Sequence, residues 1–161
     1  MPQFTTAAQA ARAVLLSPEP REKIRVARAA ARAWRAGKLE HRFDAAMPDR
    51  PARPQRPELL PANRMPKRGK AGSERARVAM LHALAHIEFG AIDLAFDMAG
   101  RFGAAFERSF VDDWFSVGAD EAMHFALLDR RLKALGSGYG ELPAHDGLWE
   151  AAEETAHDVL A

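Results

Sequence analysis

Apolar positions in the second half of the chain recur at intervals of three and four residues, which is the period of an amphipathic helix. The first such segment, residues 75–101, has one charged member in its stripe, Glu88, and the second, residues 104–135, has Glu121 and His124. Only a short connection separates them, which predicts an antiparallel hairpin of two long helices. The apolar members of the two stripes are Leu81, Leu84, Ala85, Ile92, Ala95 and Ala99, then Trp114, Val117, Phe125, Leu128, Leu132 and Leu135.

Shorter elements precede this hairpin. Thr6 is placed to cap an Ala-rich helix that ends near Leu16, a second helix is predicted for residues 22–36, and Ser73 is placed to cap the first long helix. Between them, six prolines within residues 47–72 forbid a continuous helix and leave few donors for a central strand, so we expect an extended connection, either a disordered linker or a strap that packs across the bundle. These prolines are Pro48, Pro51, Pro54, Pro57, Pro61 and Pro66.

A last helix is predicted to begin at Asp146 and is still amphipathic at Val159 and Leu160, without a stop signal, which suggests that it continues. Before it, Tyr139 is predicted to anchor a glycine-rich turn, and His145 and Asp146 are predicted to cap the helix and to order the loop. The fold class is therefore all-α, a partial antiparallel helical bundle. Its predicted parts are a basic helical segment (1–46), the proline-rich strap (47–72) and the bundle (73–161).

Composition narrows the chemistry and the cellular location. The chain has no cysteine, so a metal site must use oxygen and imidazole ligands. We found no uninterrupted apolar run near the ~18 residues that span a bilayer and no signal-peptide pattern. We therefore predict a cytoplasmic protein without membrane contact, and we disfavour an organellar targeting role for the Ala- and Arg-rich N-terminus.

The net charge of +1 conceals an unequal distribution. Residues 1–70 contain 16 Lys/Arg against 6 Asp/Glu, whereas residues 71–161 contain 7 against 16. The basic segment either lies across the acidic half of its own chain or binds a polyanion such as nucleic acid. We favour the internal pairing, because aromatic residues do not alternate with the basic ones as they do in single-strand-binding proteins.

The charged members of the two stripes are the strongest sign of chemistry. A buried carboxylate without a partner costs several kcal/mol, and a metal ion would satisfy Glu88, Glu121 and His124 together. One Glu on a helix followed by Glu-x-x-His on the next is half of the ligand set of a di-iron carboxylate bundle. The alternative is a metal-free helical scaffold or partner-binding module, in which Glu121 and His124 pair with arginines.

Other polar residues are candidates for holding the ligands by hydrogen bonds or for binding a metal in their place. His82 and His86 lie one turn apart on a different face, followed by Asp93, and we expect them to bond to neighbouring segments or to orient the ligands rather than to bind zinc. Glu154 and His157 form a second Glu-x-x-His. They fall in the first turns of the last helix, so their height in a bundle should differ from that of the main trio.

Four blocks of the chain, residues 82–95, 113–114, 120–128 and 139–149, resemble the bacterial family known as domain of unknown function 455. The resemblance covers most of the chain and implies a ferritin-like fold with Glu88, Glu121 and His124 as ligands. Members of that family continue beyond the last residue of this chain, with a further Glu and a second Glu-x-x-His. The resemblance therefore implies that this chain supplies half of the expected ligands.

These observations predict a di-iron or di-manganese protein, with an oxidoreductase that activates dioxygen or peroxide as the expected activity. Three explanations account for the missing ligands: a truncated chain, a symmetric homodimer in which two half-sites meet, or recruitment of Glu154 and His157. A homodimer is the partner that we expect, because it would also cover the apolar stripes.

Overall fold

A computed structural model describes residues 3–67 and 69–161, and these residues confirm the all-α prediction. The described residues contain no β-strand, only two isolated backbone bridges. The five α-helices are α1 Ala7–Leu15, α2 Pro20–Arg35, α3 Glu74–Phe102, α4 Arg108–Ala134 and α5 Gly147–Glu154.

The helices α3 and α4 form the predicted antiparallel hairpin. Phe89 contacts Phe125, and Phe96, further along α3, contacts Phe115, which lies earlier on α4. As predicted, the Ser73 hydroxyl caps α3 by accepting the backbone N–H of residue 76. The helix α4 begins four residues later than predicted, because Gly103–Ala105 form a 3₁₀ turn and the chain is extended before the cap.

The two N-terminal helices cover one side of this hairpin, with α1 against α3 and α2 against α4. The Thr6 hydroxyl caps α1 by accepting the Gln9 N–H, and it donates to Asp44. Pro20 occupies the first turn of α2, where its missing N–H costs nothing. The helix stops before Gly37, whose φ of +67° suits glycine. Both N-terminal helices are thus confirmed within two residues at each end.

The proline-rich segment is an extended strap, as predicted, with a single 3₁₀ turn at Ala62–Arg64. It lies beside the loop before α5, where Leu60 donates its N–H to Ala144 and Ala144 donates to Glu58. The Trp149 indole donates to the Asp49 carbonyl 3.2 Å away. These bonds hold the strap against the C-terminal part of the chain.

The prediction of a last helix that runs through Val159 and Leu160 is wrong. The helix α5 ends at Glu154, and residues 155–160 form turns. The Thr155 hydroxyl donates to the Ala151 carbonyl at this end, a local bond of the kind that competes with helix continuation.

Within the described residues, one segment, 74–105, is long and apolar enough to cross a membrane. It is the core helix α3, and 44% of its most apolar window is buried inside the molecule. Buried aromatic side chains at Phe89 and Phe96 alternate along it with the buried carboxylate of Asp93. This pattern suits a helix that packs on other helices better than one that faces lipid.

Candidate metal centre

The three predicted ligands come together between α3 and α4. Glu88 lies near the middle of α3, and Glu121 and His124 lie one turn apart on α4. One ligand atom of each residue lies within 4.8 Å of the other two. His124 Nδ1 is 3.3 Å from a Glu88 oxygen and 3.2 Å from a Glu121 oxygen. The antiparallel packing therefore brings together side chains that are far apart in sequence.

The close approach of two carboxylates and an imidazole shifts the pKa values of Glu88 and His124. A hydrogen bond with Glu121, then burial and repulsion from the same carboxylate, raise the pKa of Glu88. The pKa of His124 is also raised, mainly by its hydrogen bond to Glu121, while partial burial opposes that change. Two carboxylates at this distance repel each other unless a proton or a cation lies between them. The cluster is therefore suited to a positive ion.

The cluster does not face the core, which corrects our prediction for the stripes. The Glu88 and Glu121 side chains are each 22% exposed, and the His124 side chain is 48% exposed. The buried face of each helix overlaps the predicted stripe but is rotated relative to it. The predicted members Ala85, Ile92, Ala95, Ala99, Phe125 and Leu132 are buried. The other buried residues include His82, Phe89, Asp93 and Phe96 on α3, and Val111, Phe115, Gly118 and Ala122 on α4.

This rotation has a simple physical cause. Both helices are apolar over more than one stripe, and α1 with α2 cover only one side of the hairpin. The other side keeps large apolar residues in solvent, among them Leu84 and Val117, each 39% exposed. Leu84 lies one turn before Glu88, and Val117 lies one turn before Glu121. The candidate ligands therefore lie beside an uncovered apolar surface.

The two histidines on the other face of α3 bond to neighbouring segments, as predicted. His82 is buried, and its Nε2 accepts the Gly140 N–H at 3.0 Å. His86 Nε2 donates to the His145 carbonyl, which leaves Nδ1 to accept the Tyr139 hydroxyl, both at 2.9 Å. Burial lowers the pKa of His86 to about 4, so it is neutral at pH 7. Tyr139 anchors its turn through these contacts, which confirms that prediction.

Asp93 is buried and belongs to a separate ion-pair network. It accepts from Lys23 Nζ at 2.5 Å and from Arg53 at 2.7 Å. Arg53 also donates to Asp146, which confirms that Asp146 orders the loop before α5. The prediction that Asp146 caps this helix is wrong, because its side chain makes no capping hydrogen bond. The sequence analysis missed Lys23 as a partner, although it shares the buried face of α2 with Ala27, one turn later.

The second Glu-x-x-His is not part of the trio. Glu154 is the last residue of α5 and His157 lies in the turns that follow, so the two are not on one regular helix. Both are exposed. His145 accepts the Gly147 N–H and so helps to order the start of α5, as predicted.

A cavity of about 650 Å³ between the strap, α3 and α5 was not foreseen from the sequence. Met65, Val78 and Leu148 contribute apolar wall, and Arg53 contributes a guanidinium. The buried Nε of Arg53 has no hydrogen-bond partner in the part of the chain that the structure describes. No local pattern could have indicated this space, because it arises where three distant segments meet.

Comparison with known proteins places the chain in a family. It is 46% identical to a Haemophilus influenzae protein described as an uncharacterized protein, over 112 residues. The match covers 66% of this chain and 38% of the relative. The chain thus spans well under half the length of this relative. No solved structure matches it. The profile of the family described as "Protein of unknown function (DUF455)" matches residues 16–161, and the chain belongs to that family.

Proposed function

We propose that this chain forms part of a ferritin-like di-metal carboxylate protein that holds iron or manganese at Glu88, Glu121 and His124. The observation that carries the proposal is the meeting of one Glu on α3 with a Glu-x-x-His on α4, with all three ligand atoms within 4.8 Å of one another. This is half of the donor set of the di-iron carboxylate bundles.

The donor types fit these metals. Carboxylate oxygens and one imidazole suit iron and manganese, and the absence of cysteine excludes thiolate ligands. Bound iron or manganese would supply redox chemistry toward dioxygen or peroxide, and on that basis we propose an oxidoreductase. The two glutamates would neutralise the ion charge, and His124 would fix one coordination position.

Three ligands do not complete a dinuclear centre, so we propose that a second copy of this surface supplies the others. A two-fold axis near the trio would bring six ligands together and would bury Leu84 and Val117. Because the chain spans 38% of its relative, helices of a longer protein could supply the same ligands within one chain. Metal content and oligomer mass, measured together, separate these two routes.

The test is metal content by mass spectrometry after purification from iron- and manganese-supplemented cells. Wild type should carry about one metal per chain as a dimer, and Glu121→Ala and His124→Ala should each lose it, since each removes a donor. The matched control is Glu154→Ala with His157→Ala, which alters the other Glu-x-x-His and should retain the metal.

Wild type without metal above background, or equal loss in the control, would contradict the proposal and favour the metal-free scaffold. That alternative required arginine partners for the carboxylates. Among the described residues, however, Glu88 and Glu121 form ion pairs with His124 and with no arginine. The metal-free scaffold is therefore one possible outcome of this test, and we do not propose it as a second function.

A further inference from the structure

Five arginines form one straight stripe along α2. They occur at Arg21, Arg25, Arg28, Arg32 and Arg35, which are steps of four, three, four and three residues. At 100° per residue these positions fall within about 80° of one another on the helix. The buried residues of α2 lie on the opposite face. The sequence thus places one kind of cation along the whole length of the solvent side.

These arginines point to solvent. All five are exposed, and Arg21, Arg28, Arg32 and Arg35 have no ion pair in the described part of the chain. Arg25 is paired with Glu22, the only acidic residue within α2.

The strap arginines behave differently. Arg50 pairs with Asp146 and Glu153, and Arg53 pairs with Asp93 and Asp146. The internal pairing predicted for the basic half therefore holds for Arg50 and Arg53 of the strap, but in the described part of the chain it does not extend to Arg21, Arg28, Arg32 or Arg35.

Acidic groups next to the stripe are few. Asp112 and Asp120 line a cavity of about 180 Å³ beside Arg28 and Arg35, but neither carboxylate pairs with these two arginines. Asp112 instead accepts the Trp34 indole N–H at 2.7 Å. Within the described residues, the carboxylate that pairs with the stripe is therefore Glu22, through Arg25.

We propose that the α2 stripe binds the phosphate backbone of double-stranded nucleic acid. Guanidinium groups bind phosphate oxygens in bidentate fashion, and they repeat here about every 5.4 Å over about 21 Å of helix. A duplex presents a phosphate about every 1.7 Å of its axis, so each arginine has several phosphates in reach. Because the arginines contact the phosphate backbone and not the bases, we expect the binding not to depend on the nucleic-acid sequence.

Two other polyanions fit the surface less well. A membrane-binding amphipathic helix inserts its apolar face, but on α2 that face, including Val26 and Trp34, is buried in the core. Single-stranded binding relies on aromatic side chains that stack on bases. The exposed stripe itself consists of arginines without an aromatic residue among them. A rigid row of cations without a stacking platform favours a double helix.

The experiment measures binding of labelled 20-base-pair duplexes, RNA and DNA, to the 161-residue chain by fluorescence anisotropy between 50 and 200 mM salt, a range chosen from the expected salt dependence. The stripe variant carries Arg21→Gln, Arg28→Gln and Arg32→Gln. The matched control carries Arg77→Gln, Arg130→Gln and Arg131→Gln, three exposed arginines on α3 and α4 with the same loss of charge. Thermal melting by circular dichroism establishes that both variants fold.

Wild type should bind a duplex with a dissociation constant of roughly 10⁻⁶–10⁻⁴ M that weakens with salt. The stripe variant should bind at least about tenfold more weakly at low salt and lower the salt slope by about 3, and the control should bind like wild type. Equal loss in both variants, no duplex binding, equal affinity for a single strand, or binding only to phosphatidylserine vesicles would each overturn the proposal.

Discussion

At the scale of single residues, the buried ammonium of Lys23 depends on a single carboxylate, that of Asp93, for its ion pair. It is fully buried, donates to Asp93 at 2.5 Å, and also reaches the Val14 carbonyl at 3.0 Å. Asp93→Asn would leave this charge in the core without its carboxylate. Losing one partner of a buried pair typically costs about 3–5 kcal/mol, and urea unfolding followed by circular dichroism should show a loss of this size.

The complementary change separates charge from packing. Lys23→Met removes the buried charge and leaves Asp93 paired with Arg53, so we expect a smaller loss, about 1–2 kcal/mol. Combining Lys23→Met with Asp93→Asn should cost less than the sum of the two single changes, because no unpaired ammonium remains. Asp93→Asn costing less than Lys23→Met would show that the ion pair is not what stabilises this region.

His82 makes folding stability depend on pH. Burial lowers its pKa below the ordinary 6.5, and its Nε2 must stay unprotonated to accept the Gly140 N–H. The unfolded chain therefore takes up a proton before the folded one does. The stability contributed by neutral His82 is complete above pH 6.5 and decreases as the pH falls below that value.

A substitution that keeps the acceptor isolates this effect. His82→Gln can still offer an oxygen to the Gly140 N–H but does not titrate. Urea unfolding at pH 7 and pH 5 should show a shallower loss of stability for His82→Gln than for wild type, by at most about 1.4 kcal/mol per pH unit. Parallel pH profiles for the two proteins would exclude His82 as the source.

The identities of the candidate ligands could be predicted at this scale, but the partners of the other polar residues could not. Glu88, Glu121 and His124 follow from a local spacing on two helices. The pairing of Asp93 with Lys23 and Arg53 joins α3 to α2 and to the strap, and no spacing within one element encodes such a contact. Only the position of Lys23 on the apolar face of α2 hinted that it would be buried.

At the scale of elements, the close contact of α3 with α4 depends on Gly118. A Cβ at this position would lie 2.5 Å from the Phe96 ring, which is fully buried and cannot move away. Gly118→Ala should therefore destabilise the hairpin by about 1–3 kcal/mol through overpacking. Thermal melting of the variant measures this loss.

Gly90 is the matched control for that change. It also lies within a helix, but a Cβ there would meet nothing within 4 Å. Gly90→Ala should gain up to about 1 kcal/mol from helix propensity alone. If both alanine variants were stabilised equally, the tight approach of the Phe96 ring to Gly118 would not exist in solution.

Helix bounds were predictable because caps and glycines mark them locally, as Thr6, Ser73 and Gly37 do. The face that each helix buries was not. Helices α3 and α4 are apolar on more than one side, and the sequence does not say which side α1 and α2 cover. The predicted stripes therefore match the buried faces only in part: Ala85, Ile92, Ala95, Ala99, Phe125 and Leu132 are buried, whereas Glu88 and His124 lie at the edge of the core. The predicted end of α5 was wrong for a related reason, because an amphipathic pattern at Val159 does not form a stable helix unless its apolar face packs against other elements.

At the scale of the whole molecule, the arginines of the basic half have two different environments. Arg50 and Arg53 of the strap hold the acidic loop before α5, while the arginines of α2 remain in solvent. Total charge predicted an attraction between the halves, but only the structure separates Arg50 and Arg53, which pair with that acidic loop, from Arg21, Arg28, Arg32 and Arg35, which are exposed on α2.

The uncovered side of the hairpin leads to the last prediction. If a second copy completes the metal centre, the chain should sediment as a dimer, twice 17.7 kDa. Leu84→Glu should give monomers that lose metal, because it places a charge in the apolar surface one turn from Glu88. The control is Leu16→Glu, which alters a leucine of similar exposure, 42% against 39%, at the end of α1.

Sedimentation velocity and metal content must be read together, because each alone admits a second explanation. A dimer that survives Leu84→Glu would place the interface elsewhere. A wild-type monomer with one metal per chain would show that the centre does not need a second copy, and a wild type without metal would contradict the metal proposal itself. Only loss of both dimer and metal in Leu84→Glu, with both kept in Leu16→Glu, ties the apolar surface to the ligands beside it.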